Sequence, residues 1–387
     1  MRDRRTLLKQ SLLSASVFVS GFHRLSWPDR AAGSDSQSQG VLAGVVPFSD
    51  EGKVPMDEVM GSELDGRLFT DLSSLTPENA VTPTKRFYIR TRASKLLDAS
   101  KAWSIRLSNA AGKQAAIPVE QLRKTAKPMG LHLMECAGNF GGAHFGMVSV
   151  ADWRGVPLEE VLEIAKPAAP GQRILISGFD QYAYESRSSV PGASWIFTPE
   201  QLKTSGAFFA TEMNGEPLTP DHGAPVRLVV PGWYGCTCIK WVNEAGFVND
   251  DAAATTQMQE YAGRTMQDGV PDLAKEYQPA IIDYAAIPIR IEKWFVNGKI
   301  EFHVIGIQWG GTQRVDRLEI QFNAGESYVP VKDFQISTDG VWNFWRHVWA
   351  PQKSARYLIR LRLKAPDVVA RRLNAGYYMR SVEIQDI

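Results

Sequence analysis

Leu131-His-Leu-Met-Glu-Cys136-Ala-Gly-Asn139 sets one thiol between an apolar run and a small, turn-forming tripeptide. Leu131 to Met134 read as the end of a buried strand, and Ala137-Gly138-Asn139 as the turn that follows. A cysteine at the mouth of such a strand is held rigidly and can still meet a ligand, which suits a thiolate that coordinates a soft metal. Taken alone, the residue reads first as a small core hydrophobe. The surrounding sequence reverses that order.

Outward from this stretch, the texture is that of two domains. Between Lys85 and about Val248, Phe87-Tyr-Ile-Arg90, Trp103-Ser-Ile-Arg-Leu107, Arg173-Ile-Leu-Ile176 and Val226-Arg-Leu-Val-Val230 read as strands. Pro157-Leu-Glu-Glu-Val-Leu-Glu-Ile164 and Pro199-Glu-Gln-Leu202 read as helices, each with proline near its first turn. This predicts an α+β domain with several buried strands. A polar connection over 250–285 follows. Pro288–Trp294, Lys299–Ile305, Val315–Phe322 and Tyr357–Leu363 then alternate apolar and polar residues at period two, with Asn297-Gly298 as a hairpin turn. Short strands with frequent turns imply an Ig-like β-sandwich. The expected division is 1–40 as signal and linker, 41–270 as the catalytic domain and 271–387 as the sandwich.

The chain of 387 residues is long for one core, and its 11 tryptophans and 32 glycines suit a β-rich, loop-rich enzyme. A net charge of +1 gives no pointer to nucleic acid or an anionic membrane surface. No apolar run is long enough to predict a membrane span in the mature protein. At the N-terminus, Arg4-Arg5-Thr-Leu-Leu-Lys9 precedes a modestly hydrophobic stretch from Leu12 to Phe22, the pattern of a Tat export signal and hence of a periplasmic protein. Arg30-Ala-Ala-Gly33 is the candidate cleavage region, and residues 31 to 40 read as a flexible linker. Cys236 and Cys238, one residue apart, are poorly spaced for a mutual disulfide and read as core or near-cofactor residues. No Cys-x-x-Cys-His occurs in this sequence, so it encodes no covalent c-type haem.

Three further segments join Cys136-Ala-Gly-Asn139 in a recognisable order. Glu212-Met-Asn-Gly-Glu-Pro-Leu-Thr-Pro-Asp-His222 leads through Gly-Ala-Pro-Val-Arg227 to Pro231-Gly-Trp-Tyr-Gly235, and Ile239-Lys240-Trp241 follows. Together they resemble the sulfite oxidase family of molybdopterin enzymes, over a span from about Phe87 to the C-terminus. The resemblance implies a sulfite-oxidase-like molybdopterin domain followed by an Ig-like domain that commonly mediates dimerisation. It implies Mo-molybdopterin as cofactor and Cys136 as the protein ligand to molybdenum. His222, Arg227 and Lys240 match cofactor-contacting positions, and Asp180, in Ser177-Gly-Phe-Asp180, matches a loop carboxylate that meets the pterin. Arg90 matches an arginine near the metal and anion pocket, and Tyr261 is the counterpart of a tyrosine near the oxo ligand. The chemistry is coherent: a pyranopterin carries a phosphate and many ring donors and acceptors, which call for buried cations and hydrogen-bonding groups.

Departures bear on the substrate. Sulfite-oxidising members carry basic residues after the cysteine motif, whereas this chain reads Phe140-Gly-Gly-Ala-His144-Phe145. A histidine two places past the strand arginine is replaced by Arg92, which is grouped here with the cofactor-binding residues. Arg92, His144, Arg187, Arg264 and Arg346 are the cations available to compensate. The first expectation is an exported enzyme that oxidises sulfite or a related small sulfur compound by oxygen-atom transfer. Its electrons would pass to an external acceptor such as a c-type cytochrome. The alternatives are a reductase of sulfoxides or N-oxides on the same cofactor, and a non-catalytic binding protein on the same scaffold.

Overall fold

Two five-stranded sheets dominate the N-terminal part of the computed structural model, which describes residues 40–49, 51–92, 97–98, 101–108, 114–165, 171–179, 192–312, 315, 317–331, 333–335, 341–365 and 367–385. The first sheet runs, in spatial order, Arg227–Val229, Phe208–Met213, Val148–Pro157 and Lys127–Glu135, with Glu216–Pro217 paired to Phe208–Met213. The second runs Gln114–Pro118, Ser104–Ser108, Val242–Val248, Arg173–Gly178 and Ser194–Phe197, with one parallel pair, Ser104–Ser108 against Val242–Val248. Short helices fill the connections. Pro199–Thr204 starts where expected because Thr198 and Gln201 form a capping box ahead of Pro199.

The Lys127–Glu135 strand delivers the thiol. Its ladder against Val148–Pro157 ends at the Glu135–Val148 pair, so Cys136 is the first residue off the sheet. Leu133, Met134 and Glu135 at this end are all buried, whereas the start of the strand is exposed.

Phe87–Arg90 departs from the strand reading. It forms only an isolated bridge between Ile89 and Leu68, after a 3-10 turn at Thr84–Arg86. Flanking donors are already used: Phe87 N donates back to Pro83 O at 3.0 Å, and Tyr88 N to the Ser149 hydroxyl at 3.1 Å. No ladder can extend through groups so engaged.

Beyond residue 284 the described strands form two antiparallel sheets. Ala285–Val296 and Lys299–Trp309 make a long hairpin whose turn residues, Asn297 and Gly298, both have positive φ (52° and 78°). Asn343–Trp349 and Asp333–Gln335 extend this sheet on one side. Val41–Val46 extends it on the other by pairing with Ala285–Val296. Residues 41–46 therefore sit on the C-terminal sheet, although the sequence groups them with the first domain. The fourth sheet orders Val329–Pro330, Leu318–Gln321, Ala355–Leu363 and Arg380–Ile384. Sheets of five and four strands are the ingredients of a β-sandwich. Among the described residues no helix is long and apolar enough to cross a membrane. The Tat-like segment lies outside the described residues.

Candidate functional site

The turn after the Lys127–Glu135 strand is fixed atom by atom. Cys136 N donates to Met147 O at 2.9 Å, and Asn139 N closes the turn on Cys136 O at 2.9 Å. The Asn139 side chain spans the loop, accepting from Met147 N at 3.0 Å and donating to Glu135 Oε1 at 3.2 Å. Gly138 N points at the Cys136 sulfur at 3.4 Å. A Cβ at Gly138 would lie 3.8 Å from that sulfur and 3.3 Å from Nη1 of Arg264, so the two groups converge on this turn.

Cys136 forms part of the wall of an open cleft. Arg90, His222, Arg227, Lys240 and Tyr261 line it too. Six of the eight residues proposed for the site from sequence are thus gathered on one surface. Arg92 is not among the lining residues: its Nε pairs with Asp221 at 2.9 Å and its Nη1 donates to Gly61 O at 3.0 Å. Asp180 and Arg187 lie outside the described residues.

Each lining group has a definable state. His222 is buried; its Nε2 donates to Phe87 O at 3.0 Å, which leaves Nδ1 to accept from the Thr219 hydroxyl at 2.7 Å. Burial, with the Arg227 and Lys240 charges, brings its pKa down to about 4, so the ring is neutral. Arg227 donates to His222 O at 3.0 Å and Cys238 O at 3.2 Å, and lies over Trp153. Its Nε is buried and has no partner among the described residues. Lys240 bonds the carbonyls of Thr91 and Asp221 and stacks 4.3 Å from the ring centroid of Trp241. Burial opposes the Arg90 charge, but the Tyr261 phenol, Cys136 and Glu260 around it push its pKa up. Burial raises the Tyr261 pKa against the pull of Arg90, leaving the phenol a protonated donor inside the cleft.

Several contributors lie outside the eight residues proposed from the sequence. Arg67 approaches from an earlier segment, donating to Leu64 O at 2.6 Å and Gly66 O at 2.8 Å and also to Arg90 O. Burial and the neighbouring Arg90 lower its pKa to about 10. Cys236 and Cys238 are free, buried and part of the lining, with pKa values raised by burial. Glu135 is fully buried, accepts from Trp309 Nε1 at 2.7 Å and is raised by burial to about 7. Of the compensating cations, His144 is held by Glu51 and Gly52 O, and Arg346 by Asp333 at 2.8 Å. Among the described residues no group of three or more His, Cys, Asp or Glu gathers in metal-binding geometry.

A molybdenum–pterin group makes two demands of such a site. Its metal needs a soft donor, and Cys136 provides one on the cleft wall. Its anionic arm needs buried cations and donors, and Arg227 offers an unsatisfied one beside Lys240. The residues fit the group.

Comparison with known proteins agrees. Residues 93–256 match the model of the oxidoreductase molybdopterin binding domain. The chain is 27% identical over 214 residues to an NADPH nitrate reductase of Fusarium oxysporum, covering 50% of this chain and 23% of that protein. It is 25% identical over 317 residues to the mitochondrial sulfite oxidase of Macaca fascicularis, covering 76% and 57%. The chain therefore spans from about a quarter to just over half the length of these relatives. In fold it is similar to the crystal structure of the sulfane dehydrogenase SoxCD from Paracoccus pantotrophus, with a TM-score of 0.63 and 18% identity over 85% of this chain and 88% of that one.

Proposed function

We propose, for a chain that belongs to the sulfite oxidase family of molybdopterin-dependent oxidoreductases, that it oxidises sulfite or a related small sulfur compound and passes the electrons to an external acceptor. The observation that carries the reading is Cys136 on the wall of a cationic cleft, with Arg90 and the protonated Tyr261 in the same lining. The family's cofactor would be held by the Cys136 sulfur and by Arg227 and Lys240, and when bound it supplies oxygen-atom exchange and storage for two electrons.

The chain's own residues would do the rest. Arg90 draws an oxyanion towards the sulfur-bearing wall by charge. Tyr261 keeps its proton and so can donate a hydrogen bond to a reacting oxygen. His222, neutral and bonded on both ring nitrogens, fixes the Phe87 and Thr219 backbone segments around the cleft rather than moving a proton. In net terms sulfite and water give sulfate, two protons and two electrons. A c-type cytochrome is the acceptor we propose, and the twin-arginine leader supports a periplasmic location after Tat export. A homodimer through the C-terminal sheets belongs to the same proposal.

Purified protein should contain molybdenum, change its electron paramagnetic resonance spectrum on adding sulfite, and reduce added cytochrome c. A molybdenum-loaded protein inert to sulfite would overturn the substrate. A second reading, reduction of neutral sulfoxides or N-oxides, is favoured by one observation: the loop after Cys136 presents Phe140, 44% exposed, where an arginine would be expected. Activity of the reduced enzyme on a neutral sulfoxide separates the two.

A further inference from the structure

We infer that Arg264 supplies the second substrate-side cation of this cleft and makes the site selective for an anion over a neutral sulfur compound; the inference rests on the reading just given. A sulfite-sized oxyanion is held strongly only where more than one fixed donor cation converges on it. Arg90 is one. The loop after Cys136 provides none: its one candidate, His144, is held by Glu51 and Gly52 O.

Arg264 reaches the same place from another element, the 3-10 turn Ala262–Arg264 that follows the Thr256–Tyr261 helix. Its guanidinium and the Cys136 sulfur crowd one point above Gly138, at 3.3 Å and 3.8 Å. The guanidinium also stacks on the ring of Tyr261, itself a lining residue, at 5.2 Å. Arg264 is half-buried, and among the described residues no carboxylate forms an ion pair with it. Arg92, His144 and Arg346, by contrast, each face a carboxylate. A half-buried guanidinium that faces no carboxylate, beside the Cys136 sulfur and the lining Tyr261, has charge left to give to a ligand.

The turn that carries it is anchored. One nitrogen of Arg372, Nη2, donates both to Arg264 O at 2.5 Å and to Ala137 O at 3.0 Å. The cation and the cysteine loop are therefore held in a common frame.

The test uses the molybdenum-loaded protein and sulfate as probe, with binding read by calorimetry. Losing one charge-assisted contact predicts that R264M binds sulfate about ten- to a hundred-fold more weakly. R264K should recover part of the affinity. In turnover, KM for sulfite should rise by a similar factor with kcat changed much less. Sulfate affinity equal in wild type and R264M overturns the inference, as does a wild type that binds no sulfate. Should R264M lose its molybdenum, R264K carries the test, and unchanged sulfate affinity in it together with unchanged KM overturns the claim. Arg264-dependent sulfate binding by an enzyme that does not oxidise sulfite leaves the inference standing and removes the proposed substrate instead.

Discussion

Replacing His222 with glutamine should flatten part of the acid limb of the protein's stability curve. The wild-type ring is buried between Phe87 O and the Thr219 hydroxyl, and burial lowers its pKa from 6.5 to about 4. In the unfolded chain the same ring takes up a proton near 6.5. Its contribution to stability is therefore complete above that value and is lost as the pH falls from about 6.5 to about 4. Below about 4 both states are protonated and the loss stops. A difference of that size corresponds to about 3 kcal/mol. Glutamine can still donate to Phe87 O but has nothing to titrate. It also gives up the edge contact between the ring and Phe87, at 5.6 Å, so H222Q should be less stable than wild type near neutrality. Guanidinium denaturation of both proteins at pH 7.5 and pH 4.5 measures the effect. The gap between them should close, by an amount on the order of 3 kcal/mol. A gap that is constant between the two pH values would refute the argument, because it would mean that the ring is not held neutral by its surroundings.

Cys136→Ser should leave a folded protein whose molybdenum resonance signature and turnover are both altered; a spectrum and rate identical to wild type would remove the thiol from the metal. Tyr261→Phe keeps the ring that Arg264 stacks on but loses the O–H, so molybdenum content should hold while kcat with sulfite falls by about ten- to a hundred-fold. Unchanged kcat would end the role given to the phenol. Trp309→Phe removes the donor to the buried carboxylate of Glu135 and should cost about 1–3 kcal/mol in denaturant titration. A midpoint equal to wild type would show that this hydrogen bond contributes nothing.

The thiol's position was legible because it depends on neighbours in sequence: an apolar strand end and a turn written in consecutive residues. The hairpin at Asn297-Gly298 was legible for the same reason. Arg92 was not. Read as an extended strand, residues 90 and 92 would project to one face. The backbone bends after Ile89 instead, with Arg92 N donating to Glu63 O, and the side chain turns to Asp221. Arg67 reaches the Arg90 backbone from a segment without any motif, so no local pattern could place it. Residues 41–46 carry apolar residues but no mark of their partner, which lies about 250 positions further on.

Long-range contacts also decide how the thiol is held, and they come from the far end of the chain. The cysteine loop has its own internal bonds, yet three of its polar groups also accept from residues beyond position 300. Trp309 Nε1 donates to Glu135, Arg372 to Ala137 O, and the Tyr377 hydroxyl to Asn139 O at 2.5 Å. Arg372 is itself fixed through its backbone N on Asp283 at 2.9 Å and lies over the rings of Tyr234 and Tyr377. Two buried carbonyls left without these donors would each cost about 1–3 kcal/mol, and Glu135 would keep only its Asn139 donor. The N-terminal sheets therefore place Cys136 at the end of a strand, but the later residues fix the path of the turn that aims it. The C-terminal part of this chain is thus a structural component of the site, and a fragment ending at residue 270 would keep the Cys136 motif while losing the donors that hold it.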